Sequence, residues 1–140
     1  MVYNRIRQGY VMVRNPYYPK KVIKYELNPN VVDCIDFCTK NPEPMLKYLD
    51  ELKNYNTFWY VTITPYSKNI ESNVPSKEKV IESFKKLSLK LNKGFIGWRY
   101  DPIFIDKKHS VEWHISEFEK IASKYGMVLR PCAEGEELAQ

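Results

Sequence analysis

Several features that would narrow the function at once are missing from this chain. None of its 140 residues lies in an apolar run approaching the about 18 needed to cross a bilayer. Residues 1–5 hold no apolar signal-peptide core, so a cytoplasmic protein with no membrane partner is expected. Glycine is scarce, at five, and no glycine-rich phosphate loop exists. No serine stands in a strained nucleophile elbow. Cysteine is scarcer still. Cys34, Cys38 and Cys132 are an odd count with no CxxC pair, which suits a reducing compartment and offers no iron–sulfur ligand set. Cys34 and Cys38 on one strand would lie roughly 13 Å apart by the strand rise. That is too far for a disulfide or a shared metal, and both read as buried small apolar residues. His109 and His114 are five apart, not the four of a helical zinc pair, and His114 reads as a packed structural histidine. Neither a metal nor a cofactor is expected.

Tyrosine, by contrast, is plentiful: 11 of 140 residues, within an aromatic share of 14%. Apolar residues make up 44%, enough for one globular domain with a core. The formal charge is +5, a moderate excess that leans toward anionic partners. Residues 1–30 are basic and aromatic. Segments 9–13 and 22–27 read as strands, and Asn15-Pro16-Tyr17-Tyr18-Pro19 between them reads as a turn, giving a hairpin. Residues 31–37 read as the next strand. A helix starting at Asn41-Pro42 follows, with Met45, Leu46, Leu49 and Leu52 as its stripe. Residues 58–63 form a strand. A polar loop over 66–75 leads to a helix from Pro75-Ser76, carrying Val80, Ile81, Phe84, Leu87 and Leu91. Residues 95–100 form a strand, Ser110 caps a third helix bearing Val111, Ile115, Phe118, Ile121 and Ala122, and 127–129 form a last strand. This alternation predicts an α/β fold: βα units with parallel strands over 31–132, after the basic hairpin of 1–30 and before a frayed tail at 133–140.

In parallel α/β folds the ligand site lies at the carboxyl ends of the strands. Those ends carry Thr39-Lys40-Asn41, Thr62-Ile63-Thr64, Arg99-Tyr100-Asp101 and Cys132-Ala133-Glu134. Lys40 and Arg99 are candidates to hold an anion, with Asn41, Thr64, Tyr100 and Asp101 beside them. Asp101 and Glu134 are the candidate general bases. The alternative is that Arg99 and Asp101 form a structural ion pair and that Lys40 is solvated. Arg5, Arg7, Arg14, Lys20 and Lys21, interleaved with Tyr10, Tyr17 and Tyr18, are candidate nucleic-acid contacts. A lysine-protected edge hairpin has the same composition and is the favoured reading.

The words Asn4-Arg5-Ile6-Arg7-Gln8-Gly9-Tyr10, Asp36-Phe37-Cys38-Thr39-Lys40-Asn41-Pro42 and Trp98-Arg99-Tyr100-Asp101-Pro102 resemble an uncharacterised bacterial and archaeal domain-of-unknown-function family. That family is distantly similar to spore photoproduct lyase and other radical SAM enzymes. The resemblance implies a TIM-barrel-type fold and an iron–sulfur cluster held by C-terminal cysteines. The family's first strand with its Ser-Arg-Arg-Thr-Asp word, the middle of its domain and its cysteine cluster have no counterpart here, and Cys38 stands where the family usually has Trp. The chain is accordingly read as a truncated member, a partial (half) TIM-barrel-like sheet. Four or five strands cannot close an eight-stranded barrel, so a homo-oligomer or another protein is expected to cover the open edges.

Three functions follow as expectations. The first is a non-catalytic binding, adaptor or inhibitor protein using the strand-end rim. The second is nucleic-acid binding by the hairpin. The third is a cluster-independent enzyme acting on a phosphorylated or nucleotide-like substrate.

Overall fold

The computed structural model describes residues 2–91 and 95–126. It opens with a short helix, α1 (Val2–Gln8), where a continuous basic hairpin segment was expected. Tyr3 and Ile6, three apart, turn inward from it, and Gly9 ends it at φ +75°, a conformation that costs glycine little. β1 (Tyr10–Arg14) and β2 (Val22–Glu26) then pair antiparallel, with Tyr10 opposite Glu26 and Arg14 opposite Val22. The Asn15 side chain accepts from the amides of Tyr17 (2.8 Å) and Tyr18 (3.1 Å), so the expected turn forms.

β3 (Ile35–Thr39) begins four residues later than the β-branched content suggests. The amides of Val31 and Val32 both bond the Asn28 carbonyl, so a turn occupies the first part of the expected strand. The segment Glu43–Leu52 is a 3₁₀ helix rather than an α-helix. Its first and last bonds, Met45 to Pro42 and Lys53 to Asp50, each span three residues. Leu46, Leu49 and Leu52 are spaced by three, and three residues per turn bring them into one row against the core.

β4 (Thr57–Thr62), α2 (Lys77–Lys90), β5 (Ile96–Arg99) and α3 (Val111–Tyr125) complete the described chain. Ser76 and Ser110 cap α2 and α3, each accepting from the amide three residues on. Gly126, at φ +62°, closes α3. The expected strand at 127–129, Cys132, Glu134 and the tail lie outside the described residues.

The sheet order is β3-β4-β5, all parallel, separate from the β1-β2 ribbon. The fold is therefore mixed α/β, and the described strands form no closed barrel. One face of the parallel sheet presents Ile35 and Phe37, Trp59 and Val61, Ile96 and Trp98. These join a single core with Leu52, Val80, Ile81, Leu87 and Ile121. Phe37 stacks on Trp59 at 4.1 Å and Trp98 on Phe118 at 4.7 Å, tying β5 to α3. Side chains alternate along a strand, so the other face carries Asp36 and Cys38, Phe58 and Tyr60, Gly97 and Arg99. None of these belongs to the core, and Asp36, Cys38, Tyr60 and Arg99 are exposed. Cys34 is exposed as well, so the expectation of two buried cysteines is wrong. Phe37 and Ile35, not the cysteines, take the inward positions. Of the expected α3 stripe, Phe118 and Ile121 pack inward, joined by His114, while Val111 and Ile115 are exposed.

Candidate functional site

The strand ends gather the expected polar residues at one end of the sheet but divide them into two groups. β3 leads into Thr39, Lys40 and Asn41. Asn41 uses its side-chain oxygen to accept from the Glu43 amide at 3.3 Å, opening the 3₁₀ helix. Lys40 is ion-paired to Glu71, which comes from the loop between β4 and α2. Thr64, just past β4, donates to the other carboxylate oxygen of Glu71 at 2.7 Å. The Glu71 side chain is only 15% exposed, so an internal carboxylate already occupies the position where an anion would meet Lys40 and Thr64. The reading of Lys40 as a solvated cation fails for the same reason. Beside this cluster, Thr62, Thr64, Tyr66, Glu71 and Lys77 line a cavity of about 30 Å³, room for one water molecule.

Arg99, at the end of β5, belongs to the second group and shares no partner with Lys40. Its Nε lies 4.0 Å from Asp101 Oδ2, a long contact between side chains 45% and 61% exposed. Its Nη1 lies 3.9 Å from Cys38 Sγ on β3. On β4, Tyr60 stands in register with Cys38 and Gly97, and its ring lies 4.7 Å from that of Phe58, centroid to centroid, tilted by 48°. Gly97 presents only backbone beneath these rings, since a Cβ there would sit 3.5 Å from Tyr60 and 3.8 Å from Phe58. A guanidinium at the edge of an exposed aromatic pair can hold an anion while a flat group rests on the rings.

Tyr100 does not face a ligand. Its hydroxyl meets Nδ1 of buried His114 at 2.9 Å. His114 Nε2 meets the Phe104 carbonyl at 2.9 Å. A carbonyl only accepts, so Nε2 donates, and in the neutral ring Nδ1 accepts from Tyr100. Burial, then the Tyr66 and Glu117 side chains, push the Tyr100 phenol up to about 12. Tyr66 completes this support: its hydroxyl donates to the Pro102 carbonyl at 2.9 Å and its ring stacks on Phe104 at 4.6 Å. The chain following Arg99 and Asp101 is therefore held from inside. His109 pairs with Asp106 at 2.8 Å. Backbone amides of Lys108 and His109, against a smaller cost of burial, hold the Asp106 carboxyl below its usual range.

The hairpin cations are also divided. Arg7 is held by Glu51 through two hydrogen bonds, one at 2.8 Å, so it braces α1 rather than standing free. That contact lowers the Glu51 carboxyl. Arg5 donates to Gln8 at 3.2 Å. Among the described residues, Arg14, Lys20 and Lys21 make no ion pair. No three of His, Cys, Asp and Glu converge as a metal site needs, again among the described residues. Candidate base Glu134 lies outside them.

Glu71, Cys38 and Tyr60 are the site residues that the sequence reading missed. Glu71 is a single acid in a polar loop, without a spacing to single it out. Phe58 to Val61 are apolar on both faces, as a central parallel strand is, so the pattern does not tell which face is covered.

A family model described as "Domain of unknown function (DUF1848)" matches residues 2–140. No curated protein and no solved structure matches the chain. No helix among the described residues is long and apolar enough to cross a membrane.

Proposed function

The chain belongs to the DUF1848 family of domains of unknown function, and we propose that it is a binding protein that takes an anionic, flat-faced ligand on the open face of its parallel sheet, at Arg99. The observation that carries this reading is the exposed guanidinium of Arg99, 3.9 Å from Cys38 on the same sheet face that carries exposed Tyr60 and half-buried Phe58. Lys40, Asn41, Thr64 and Tyr100 serve as the frame of the site, since each already has a partner within the chain.

The scaffold is read as part of a TIM-barrel-like arrangement of the radical SAM type. Two features support it: the strands are parallel, and the helices contribute to one core on one side while, among the described residues, no core cluster covers the other face. In a barrel that other face would line the interior and the site would sit at the carboxyl ends of the strands. The outer edges of β3 and β5 are where a second copy or another protein would extend the sheet, leaving the face itself free.

Isothermal titration with benzoate, AMP and inorganic phosphate tests the reading. Benzoate and AMP bind more tightly than phosphate, because only they can rest on the rings. Arg99→Ala weakens that binding by about tenfold or more, the scale of a lost charge-assisted contact. Lys40→Ala leaves it within about twofold. Equal binding by wild type and Arg99→Ala would overturn the proposal.

A further inference from the structure

The net charge of this protein is confined to its first 27 residues. Residues 1–27 carry Arg5, Arg7, Arg14, Lys20, Lys21 and Lys24 against Glu26 alone, a net +5. The whole chain is also +5, so the 16 basic and 16 acidic residues of 28–140 cancel. Of the six cations, Arg7 is neutralised by Glu51, Arg5 is bound to Gln8, and Lys24 lies over the Tyr10 ring at 4.6 Å. The three without a partner among the described residues, Arg14, Lys20 and Lys21, flank the hairpin turn. Cations that only protect an edge would be spread along the strands; these gather at one end.

The same turn holds Tyr17 and Tyr18, 86% and 70% exposed, the most exposed tyrosines among the described residues. Their backbone is fixed nonetheless. Asn15 Oδ1 accepts from both amides, Lys21 N bonds the Tyr18 carbonyl at 2.8 Å, and Asn15 N bonds the Lys21 carbonyl at 3.0 Å. Pro16 and Pro19 bracket the pair and restrict it further. Two aromatic rings are thus presented to solvent from a pre-set turn ringed by cations that are unpaired among the described residues.

We infer that this turn binds single-stranded nucleic acid, with Arg14, Lys20 and Lys21 on the backbone phosphates and Tyr17 and Tyr18 stacked on unpaired bases. Charge complementarity selects a polyanion. The exposed rings select the single strand, because stacking needs free base faces and a duplex hides them. This surface is separate from the Arg99 site and does not depend on it.

The test is fluorescence anisotropy on the full chain with a labelled oligo-dT, its duplex with oligo-dA, and vesicles of phosphatidylserine and phosphatidylcholine. Oligo-dT binds more tightly than the duplex. Its affinity falls with salt on a log–log slope of magnitude about 2, for three phosphates at about 0.7 each. Tyr17→Ala and Tyr18→Ala each weaken it about fivefold or more without changing that slope. Lys20→Ala with Lys21→Ala lowers the slope magnitude by about 1.4. Arg99→Ala leaves all of this unchanged. Tighter binding of the duplex, full affinity in both tyrosine variants, binding of vesicles but not oligonucleotide, or no binding at low salt would each overturn the inference.

Discussion

At the residue scale, Tyr100 links the strand end to α3. Removing its hydroxyl leaves His114, 5% exposed, with one ring nitrogen unpaired. Tyr100→Phe therefore destabilises by about 1–2 kcal/mol in urea unfolding, the cost of orphaning a buried polar group. The tyrosines also set an alkaline limit. Burial is the main cause that pushes Tyr3 and Tyr100 up to about 12, whereas unfolded phenols ionise near 10. Between those values the unfolded chain has lost protons that the folded chain keeps, so stability falls as pH rises from about 10 to about 12. Glu51, Asp106 and Glu112 act with the opposite sign. Their folded values are lowered by hydrogen bonds, from Arg7, the Lys108 amide and Ser110 respectively. Their contribution is intact above about 4.5 and drains away as pH falls through the folded values. Urea midpoints across pH check both limbs, and Tyr100→Phe flattens part of the alkaline one.

At the element scale, local signals and observed structure mostly agree where a cap or a proline is present. Ser76 and Ser110 start α2 and α3, and Asn15 shapes the turn, as their side-chain chemistry predicts. Ser110→Ala lowers stability by about 1 kcal/mol in the same assay. Gly9 carried a readable signal too, but for the end of α1 rather than the start of β1. Gly9→Ala, forced to φ +75°, costs about 1 kcal/mol or more. Open space around it means that the cost is conformational, not steric. The 3₁₀ helix was harder to read, because a three-residue spacing of leucines fits both helix types over two turns. The candidate rim was legible as a place, since parallel strands put it at their carboxyl ends. Its internal pairing was not, because Glu71 reaches Lys40 across 31 residues by tertiary contact alone.

At the scale of the molecule, one core serves one face of the parallel sheet, and Trp59, Val61 and Leu87 are fully buried in it. Leu87→Ala removes about 2–5 kcal/mol for that reason. Among the described residues no strand pairs with the outer edge of β3 or β5, and on the reading that a partner covers them, sedimentation should show self-association at micromolar concentration that variants placing proline in β3 or β5 abolish. The openness of the sheet's other face is the claim on which the proposed function rests. Cys38 reports on it, since its exposed thiol lies on that face, 3.9 Å from Arg99. The direct measurement is iodoacetamide labelling of the native protein, read by peptide mass spectrometry with and without benzoate. Cys38 and Cys34 should both be modified without denaturant, and benzoate should slow Cys38 but not Cys34. A Cys38 that reacts only after unfolding would contradict the account.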